Sequence, residues 1–245
     1  MEIGGNTVLI TGGATGIGLA LAVRFLKAGS QVIICGRRKD KLEEARRNHP
    51  ELHIRVCDVS VEEERIALFQ WTVAEFPQVN VLINNAGIQR RVEATKDQES
   101  WEERRKEIAI NLEAPIHLSS LFVPHFIKQP KAAIINVSSG LAFTPGTFAT
   151  VYSATKAGLH SFTMSLRYEL EGTNVKVMEI VPPAVNTDLG GAGIHTMGVP
   201  LDEFADAIMQ RLAGDEVEIG YGRSEKARNA SRQESDEMIR QMNRK

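Results

Sequence analysis

Short runs of consecutive apolar residues alternate with longer amphipathic stretches along most of this chain. The apolar runs are TVLIT (7–11), QVIIC (31–35), LHIRVC (52–57), VNVLIN (79–84), AAIINVS (132–138) and VKVMEIV (175–181). They are rich in β-branched residues, bounded by turn residues and often apolar at successive positions, the pattern of strands buried on both faces. Helical stretches are predicted between them, over 16–28, 38–48, 61–76, 101–128 and 152–171. Such alternation predicts a parallel sheet with helices on both sides. Right-handed crossovers make it a doubly wound α/β fold. No boundary or repeat interrupts residues 1–222, which read as one domain, and 223–245 reads as a polar C-terminal extension.

Composition narrows the function classes. A hydrophobic content of 42% in 245 residues is ample for a buried core. The net charge of −2 argues against a nucleic-acid partner, which leaves a basic footprint. No apolar run reaches the length of a membrane-spanning helix. The opening MEIGGNTVLITGG has neither the basic nor the apolar region of a signal peptide, so a cytoplasmic location is expected. Cys35 and Cys57 end apolar runs and read as buried free thiols, with a lone disulfide as the alternative. The six histidines are scattered, and His117, His125 and His160 lie in helical stretches, so no metal site is expected.

Three groups of residues point to chemistry. TGGATGIG (11–18) ends the first strand and opens the first helix, with glycines at 12, 16 and 18. That arrangement aims backbone N–H groups and a positive helix end at one point and can bind a pyrophosphate. A plain glycine-rich connection is the bland alternative. YSATK (152–156) sets Tyr152 and Lys156 one helical turn apart on one face. An ammonium there favours the phenolate. Lowering a phenol from about 10 to about 7 takes roughly 4 kcal/mol, more than one solvated lysine supplies. An ordinary i,i+4 pair is the other reading. Third, Pro115 stands four residues after Asn111 and offers no N–H to its carbonyl. A kink there, which packing alone could also produce, would free that carbonyl for a water.

TGGATGIG, NNAG (84–87), Asn111, NVSSG (136–140), YSATK and PPAVNT (182–187) follow one another in the order and at the distances of the short-chain dehydrogenase/reductase (SDR) family. The resemblance spans about residues 5–220, and VIICGRR, SGLAF and PPAVNT look closest to its DltE-like branch. It implies a Rossmann-type fold with seven parallel strands, a nicotinamide cofactor, and hydride transfer between an alcohol and a carbonyl. It further implies Asn111, Ser139, Tyr152 and Lys156 as the catalytic set. Ser139 is selected over Ser138 because it lies 13 positions before the tyrosine. The phenol would be general acid or base, Ser139 would hold the substrate oxygen, and a water on the Asn111 carbonyl would relay protons from Lys156.

Cofactor contacts implied by the resemblance are Gly12, Ala14, Thr15, Gly16, Ile17 and Gly18 in the loop, and Asp58 and Val59 for the adenine. Asn85, Ala86 and Gly87 would admit the ribose, and Tyr152 and Lys156 would touch the nicotinamide riboside. Pro182, Val185 and Thr187 match the carboxamide-holding motif, in which Pro183 replaces the usual glycine. The second strand ends at Gly36 rather than an acid, and Arg37 and Arg38 follow. Guanidinium groups can clasp a 2′-phosphate, so NADP(H) is expected over NAD(H). Against this, Thr15 stands where some NADP-dependent relatives carry a basic residue, and RRKDK also reads as a solvated helix start.

For the substrate, Gln89, Leu141, Phe143, Phe148 and Leu189 are the candidate pocket, with DLGGAGIHTMGVP (188–200) as a glycine-rich lid. These suggest a small or medium ketone, aldehyde or secondary alcohol. A homodimer or homotetramer through the segments 101–128 and 152–171 is the family's habit. The segment 224–245 has near-helical apolar spacing, and reads as a polar extension or as an arm onto a neighbouring subunit. A cofactor-binding sensor or scaffold with little turnover is the alternative function.

Overall fold

The computed structural model describes residues 1–92 and 100–244. Seven parallel strands form one sheet: β1 (Thr7–Thr11), β2 (Gln31–Gly36), β3 (His53–Val56), β4 (Val81–Asn84), β5 (Ala132–Val137), β6 (Val175–Val181) and β7 (Glu218–Gly220). Their order is β3-β2-β1-β4-β5-β6-β7, so the winding reverses between β1 and β4. Such a reversal opens a crevice at the carboxyl ends of the strands, where ligands of open α/β sheets sit. β3 is the edge strand, which explains why its residues are largely exposed although its sequence looks like a core run. β7, three residues long, is too short to stand out as an apolar run.

The helices are α1 (Gly16–Lys27), α2 (Lys39–Asn48), α3 (Glu62–Glu75), α4 (Trp101–Ile108), α5 (Ala114–Phe126), α6 (Thr150–Glu169), α7 (Leu201–Leu212), α8 (Arg223–Asn229) and α9 (Arg232–Asn243). One face of the sheet packs Ile10, Ile34, Ile135 and Ile180 against Leu21 and Phe25 of α1, Leu42 of α2 and Phe204 and Ile208 of α7. The other packs Leu9, Leu82, Ile134 and Val177 against Leu68 of α3, Phe122 of α5 and Leu166 of α6. On this second face the core turns polar near the carboxyl ends. Asn84, Asn136, Glu179 and Glu218 are successive cross-strand partners on β4 to β7. Asn84 Nδ2 donates to Asn136 Oδ1 at 2.8 Å, and Asn136 Nδ2 donates to Thr163 Oγ1 of α6 at 2.9 Å.

The stretch predicted as one helix over 101–128 is two α-helices joined by a π-helical turn, Ala109–Glu113, in which the Ala114 N–H bonds the Ala109 carbonyl. Pro115 cannot donate to the Asn111 carbonyl, and the chain absorbs the lost bond with a bulge of the kind common at functional sites. The C-terminal segment folds onto its own chain. Ser224 and Ala227 of α8 are buried, and the Ser224 hydroxyl donates to the Val181 carbonyl. A capping box of Ser231 and Glu234 starts α9. At its end the Asn243 side chain accepts from the Thr147 amide at 2.7 Å and donates to the Pro145 carbonyl at 2.9 Å. Lys245 lies outside the described residues. Cys35 and Cys57 are buried free thiols. No helix among the described residues is long and apolar enough to cross a membrane.

Candidate active site

The glycine loop leaves β1 and enters α1 with no spare volume. Gly12 has φ +64°, and a Cβ there would lie 2.9 Å from the Ala86 Cα. A Cβ on Gly18 would lie 2.5 Å from the Gly12 carbonyl oxygen. The loop must therefore stay bare. Thr15 caps α1 without a side-chain hydrogen bond, and no acid stands in the first turn. The first amides of α1 thus meet no side-chain cap and no opposing carboxylate, which suits a pyrophosphate. Ala14 and Ile17 pack against the apolar face of the sheet. Gly16, at φ +55°, turns towards Thr187, whose Cγ2 would lie 3.5 Å from an added Cβ.

At the end of β2, Arg37 and Arg38 are exposed, and Arg38 Nη2 donates to Thr15 Oγ1 at 3.3 Å. A guanidinium therefore stands beside the loop position that lacks a basic residue of its own. Asp58 accepts from the Ser60 amide and hydroxyl at 3.0 and 2.7 Å, and Val59 beside it is buried. After β4, the Asn85 and Ala86 amides both donate to the Thr11 hydroxyl, each at 3.0 Å. A Cβ on Gly87 would lie 3.3 Å from Asn111 Oδ1 and 3.7 Å from Lys156 Nζ, so this turn borders the lysine.

The fold brings Asn111, Ser139, Tyr152 and Lys156 together, all of them buried. Asn111 is clamped through its side chain, accepting from the Ile88 amide at 2.9 Å and donating to the Ile88 carbonyl at 2.8 Å. Lys156 Nζ lies 5.6 Å from the centre of the Tyr152 ring and donates to the Val137 carbonyl at 2.8 Å. The Ser139 hydroxyl accepts from the Leu141 amide at 3.2 Å and neighbours the Tyr152 side chain. Ser138 turns aside, towards the Ile180 carbonyl.

Burial is the first influence on the ionisation of both Tyr152 and Lys156. Burial pushes the Tyr152 phenol up to about 12; the Ser139 hydroxyl opposes this and the Glu107 charge adds to it. Burial also pulls Lys156 down to about 8, against the charges of Glu179 and Glu107. Desolvation thus outweighs the ammonium that YSATK places one turn away.

The PPAVNT segment (182–187) is tied to the residue that follows the glycine-rich stretch. Val185 bridges Val199 through its neighbours, with the Asn186 amide on the Val199 carbonyl and the Val199 amide on the Ala184 carbonyl, each at 2.9 Å. The Pro182 carbonyl accepts from the Gly140 amide at 2.9 Å, which ties this motif to the serine loop. The Leu189 amide reaches Thr187 Oγ1 at 3.5 Å. Of the pocket candidates, Gln89 is buried against Gly190, and Phe148 stacks under the Arg91 guanidinium at 4.6 Å. Phe143 packs edge-on to His160 with ring centres 4.6 Å apart.

Sequence reasoning passed over Glu107 and Glu179, and set His160 aside as a helix residue. Glu107 is buried on α4 and accepts from the Arg90 amide at 3.0 Å. Its signal was a lone acid one turn before Asn111. Half-buried His160 and fully buried Glu179 form a pair at 2.8 Å. Sequence spacing gave no metal-ligating set, yet the fold gathers donor atoms of His160, Glu179 and Glu218 within 4.8 Å of one another. Arg167 and Arg228 stand 3.6 Å from Glu218, which makes this cluster an ion-pair network.

Residues 6–196 match the family model described as short chain dehydrogenase. The chain is 45% identical to the protein named Uncharacterized oxidoreductase DltE of Bacillus subtilis, over 99% of this chain and 98% of that one. A short-chain dehydrogenase from Sphingobium yanoikuyae, solved in complex with NADPH, superposes with a TM-score of 0.81 at 25% identity, covering 96% and 94% of the two chains. The 3-ketoacyl-(acyl-carrier-protein) reductase of Brucella melitensis, complexed with NADH, gives 0.80 at 27%, covering 91% and 99%.

Proposed function

The chain belongs to the short-chain dehydrogenase family, and we propose that it interconverts a carbonyl compound and its alcohol, with Tyr152 as the proton donor and acceptor. The observation that carries this reading is the convergence of Ser139, Tyr152 and Lys156 beside the crevice where the sheet reverses. A nicotinamide cofactor would supply or accept the hydride. The bare glycine loop and the uncapped start of α1 fit its pyrophosphate, and Thr187 stands close enough to Gly16 to serve the same ligand.

The residues divide the work. Ser139 presents a hydroxyl to the substrate oxygen and steadies the charge that grows there on reduction. Tyr152 gives its proton to the same oxygen. With the phenol pushed up to about 12, it is protonated at neutral pH, which suits the reductive direction. Taking it to neutrality would need about 7 kcal/mol of differential interaction. The Lys156 ammonium supplies part of that, and an oxidised nicotinamide beside the phenol would supply positive charge in the oxidative direction. Asn111 holds Ile88 and the turn at Gly87 against Lys156, fixing the amine's surroundings.

NADP(H) is favoured over NAD(H). Gly36 leaves no carboxylate at the ribose, and Arg38 reaches Thr15; the Sphingobium relative binds NADPH. The NADH complex of the Brucella reductase keeps NAD(H) as the second choice. Exposed Trp101, Ile127 and Tyr168 beside or on the helices α4 to α6 fit a subunit interface there, which light scattering would test. For the reaction itself, the test is a panel of ketones, aldehydes and secondary alcohols with NADPH or NADP, read by the near-ultraviolet absorbance of the reduced ring. Turnover of any member supports the reading; cofactor binding with no turnover across the panel counts against it.

A further inference from the structure

A charge inside a strand covered on both faces is expensive unless it is met by another. Glu179 on β6 is fully buried, with Oε2 2.8 Å from His160 Nδ1 and Oε1 without a hydrogen-bond partner among the described residues. Beyond the Asn84–Asn136 pair, it carries the polar row onto β6 beneath α6. Tyr152, Lys156 and His160 recur every four residues on α6 and so form one stripe. His160 meets Glu179 at the far end of that stripe, and Phe143 packs on its ring.

We infer that Glu179 is a positioning residue: its carboxylate, fixed by His160, is the buried counter-charge that keeps the Lys156 amine in the charged form Tyr152 needs. The inference rests on the roles given to Tyr152 and Lys156 above. Lys156 lies one helical turn from Tyr152 and from His160, the residue that meets Glu179, and its Nζ donates to the carbonyl of Val137, whose strand neighbour Asn136 is the cross-strand partner of Glu179. The charges of Glu107 on α4 and Glu179 on β6 act on it there. Of the two carboxylates opposing the burial of its charge, Glu179 has the larger influence. Glu179 is faced by His160 from α6 and by Glu218, its partner on β7. Glu218 is itself met by Arg167 from α6 and Arg228 from α8. The outer carboxylate is thus met by two arginines, and the inner one by a single imidazole.

Removing the inner charge removes a force that holds the proton on Lys156, so the lysine must titrate at lower pH. The measurement is an NMR titration of ligand-free protein carrying ¹³C-labelled lysine, with the Lys156 signal assigned by its loss in Lys156→Arg. In Glu179→Gln the midpoint is expected to fall from about 8 by about one pH unit or more, a tenfold change in acid strength. In Glu179→Asp and Glu218→Gln it should stay within a few tenths. An unmoved midpoint in Glu179→Gln, or an equal fall in Glu218→Gln, overturns the inference. Should Glu179→Gln not fold, ¹³C-labelled glutamate in the unmodified chain decides: the inference requires an ionised Glu179 at neutral pH, and a protonated carboxyl there overturns it. In turnover, the alkaline limb of kcat/KM should shift with the lysine in Glu179→Gln; a uniform loss with a fixed limb marks a merely structural role and overturns it. Because the titrations need no turnover, an inactive chain would defeat the hydride-transfer reading while they still decide whether Glu179 controls Lys156.

Discussion

Ile135 and Asn136 are neighbours on β5, yet they enter opposite sides of the sheet and meet different company. Ile135 joins Ile10, Ile34 and Ile180 in a layer that stays apolar out to the carboxyl ends of the strands. Asn136 joins Asn84 and Glu179 in a row of amides and a carboxylate under α5 and α6. The α1–α7 side earns stability from area removed from water. The α6 side gives up some of that gain, because each polar group there must find a partner or remain a liability. Asn84 Oδ1 and Glu179 Oε1 are buried without one among the described residues. The difference teaches where the chemistry sits: the polar side is the one that carries Tyr152 and Lys156.

Substitutions on the two sides should therefore separate activity from stability. The largest effect is expected from Tyr152→Phe, which should cut kcat by about 10²–10⁴-fold and leave cofactor affinity, followed by fluorescence titration, within a factor of a few. A similar loss of cofactor affinity would mean that the phenol binds rather than reacts. Next, Ile180→Ala on the apolar side should lower unfolding stability by about 2–5 kcal/mol in urea with kcat/KM little changed; a matching collapse of kcat/KM would erase the division between the faces. Asn136→Leu should cost about 1–3 kcal/mol by taking one partner each from the buried Asn84 amide, which keeps Ser119, and the Thr163 hydroxyl, which keeps the Leu159 carbonyl, and should also disturb turnover through α6.

A pH series sharpens the same contrast. Unfolding frees Lys156 to bind its proton at the ordinary value of 10.5 instead of about 8. Between these values the unfolded chain holds more protons, so the lysine's contribution to stability rises with pH across that window and is flat below it. Lys156→Met should abolish this rise, which urea unfolding at a series of pH values would reveal; an unchanged slope would show that the lysine is not titrating as described. The smallest effect is expected outside both layers. Arg38→Ala should raise KM for NADPH about tenfold, roughly 1.4 kcal/mol, without altering KM for NADH, and equal changes would remove the 2′-phosphate argument.

Much of the framework was legible because buried parallel strands announce themselves as unbroken apolar runs, as in VLI of β1 and VII of β2. The signal for α7 lay in Phe204, Ile208 and Leu212 at helical spacing, outside the alternation that marked the earlier helices. β7 offers three residues and no run. Within the site, local spacing placed Tyr152 and Lys156 on one helix face, while their roles and the choice of Ser139 came from the resemblance to the family. Glu179 was visible as a lone acid in VKVMEIV, but its partner depends on how α6 lies across β6, which no local spacing records. The phenol's true environment was hidden for the same reason, since complete burial is a property of the assembled layers.

The π-helical turn at Ala109–Glu113 has a consequence for how this site could be lost. It holds one residue more than an α-helical path would need, and each residue turns a helix by about 100°. Deleting a single codon there would let the chain relax into a regular helix, with α5 still seated on the sheet. The side chains of α4 would swing round by that angle relative to α5, carrying Asn111 off Ile88 and the Glu107 carboxylate off the Arg90 amide. A lineage could silence the chemistry in one mutational step and keep a folded protein.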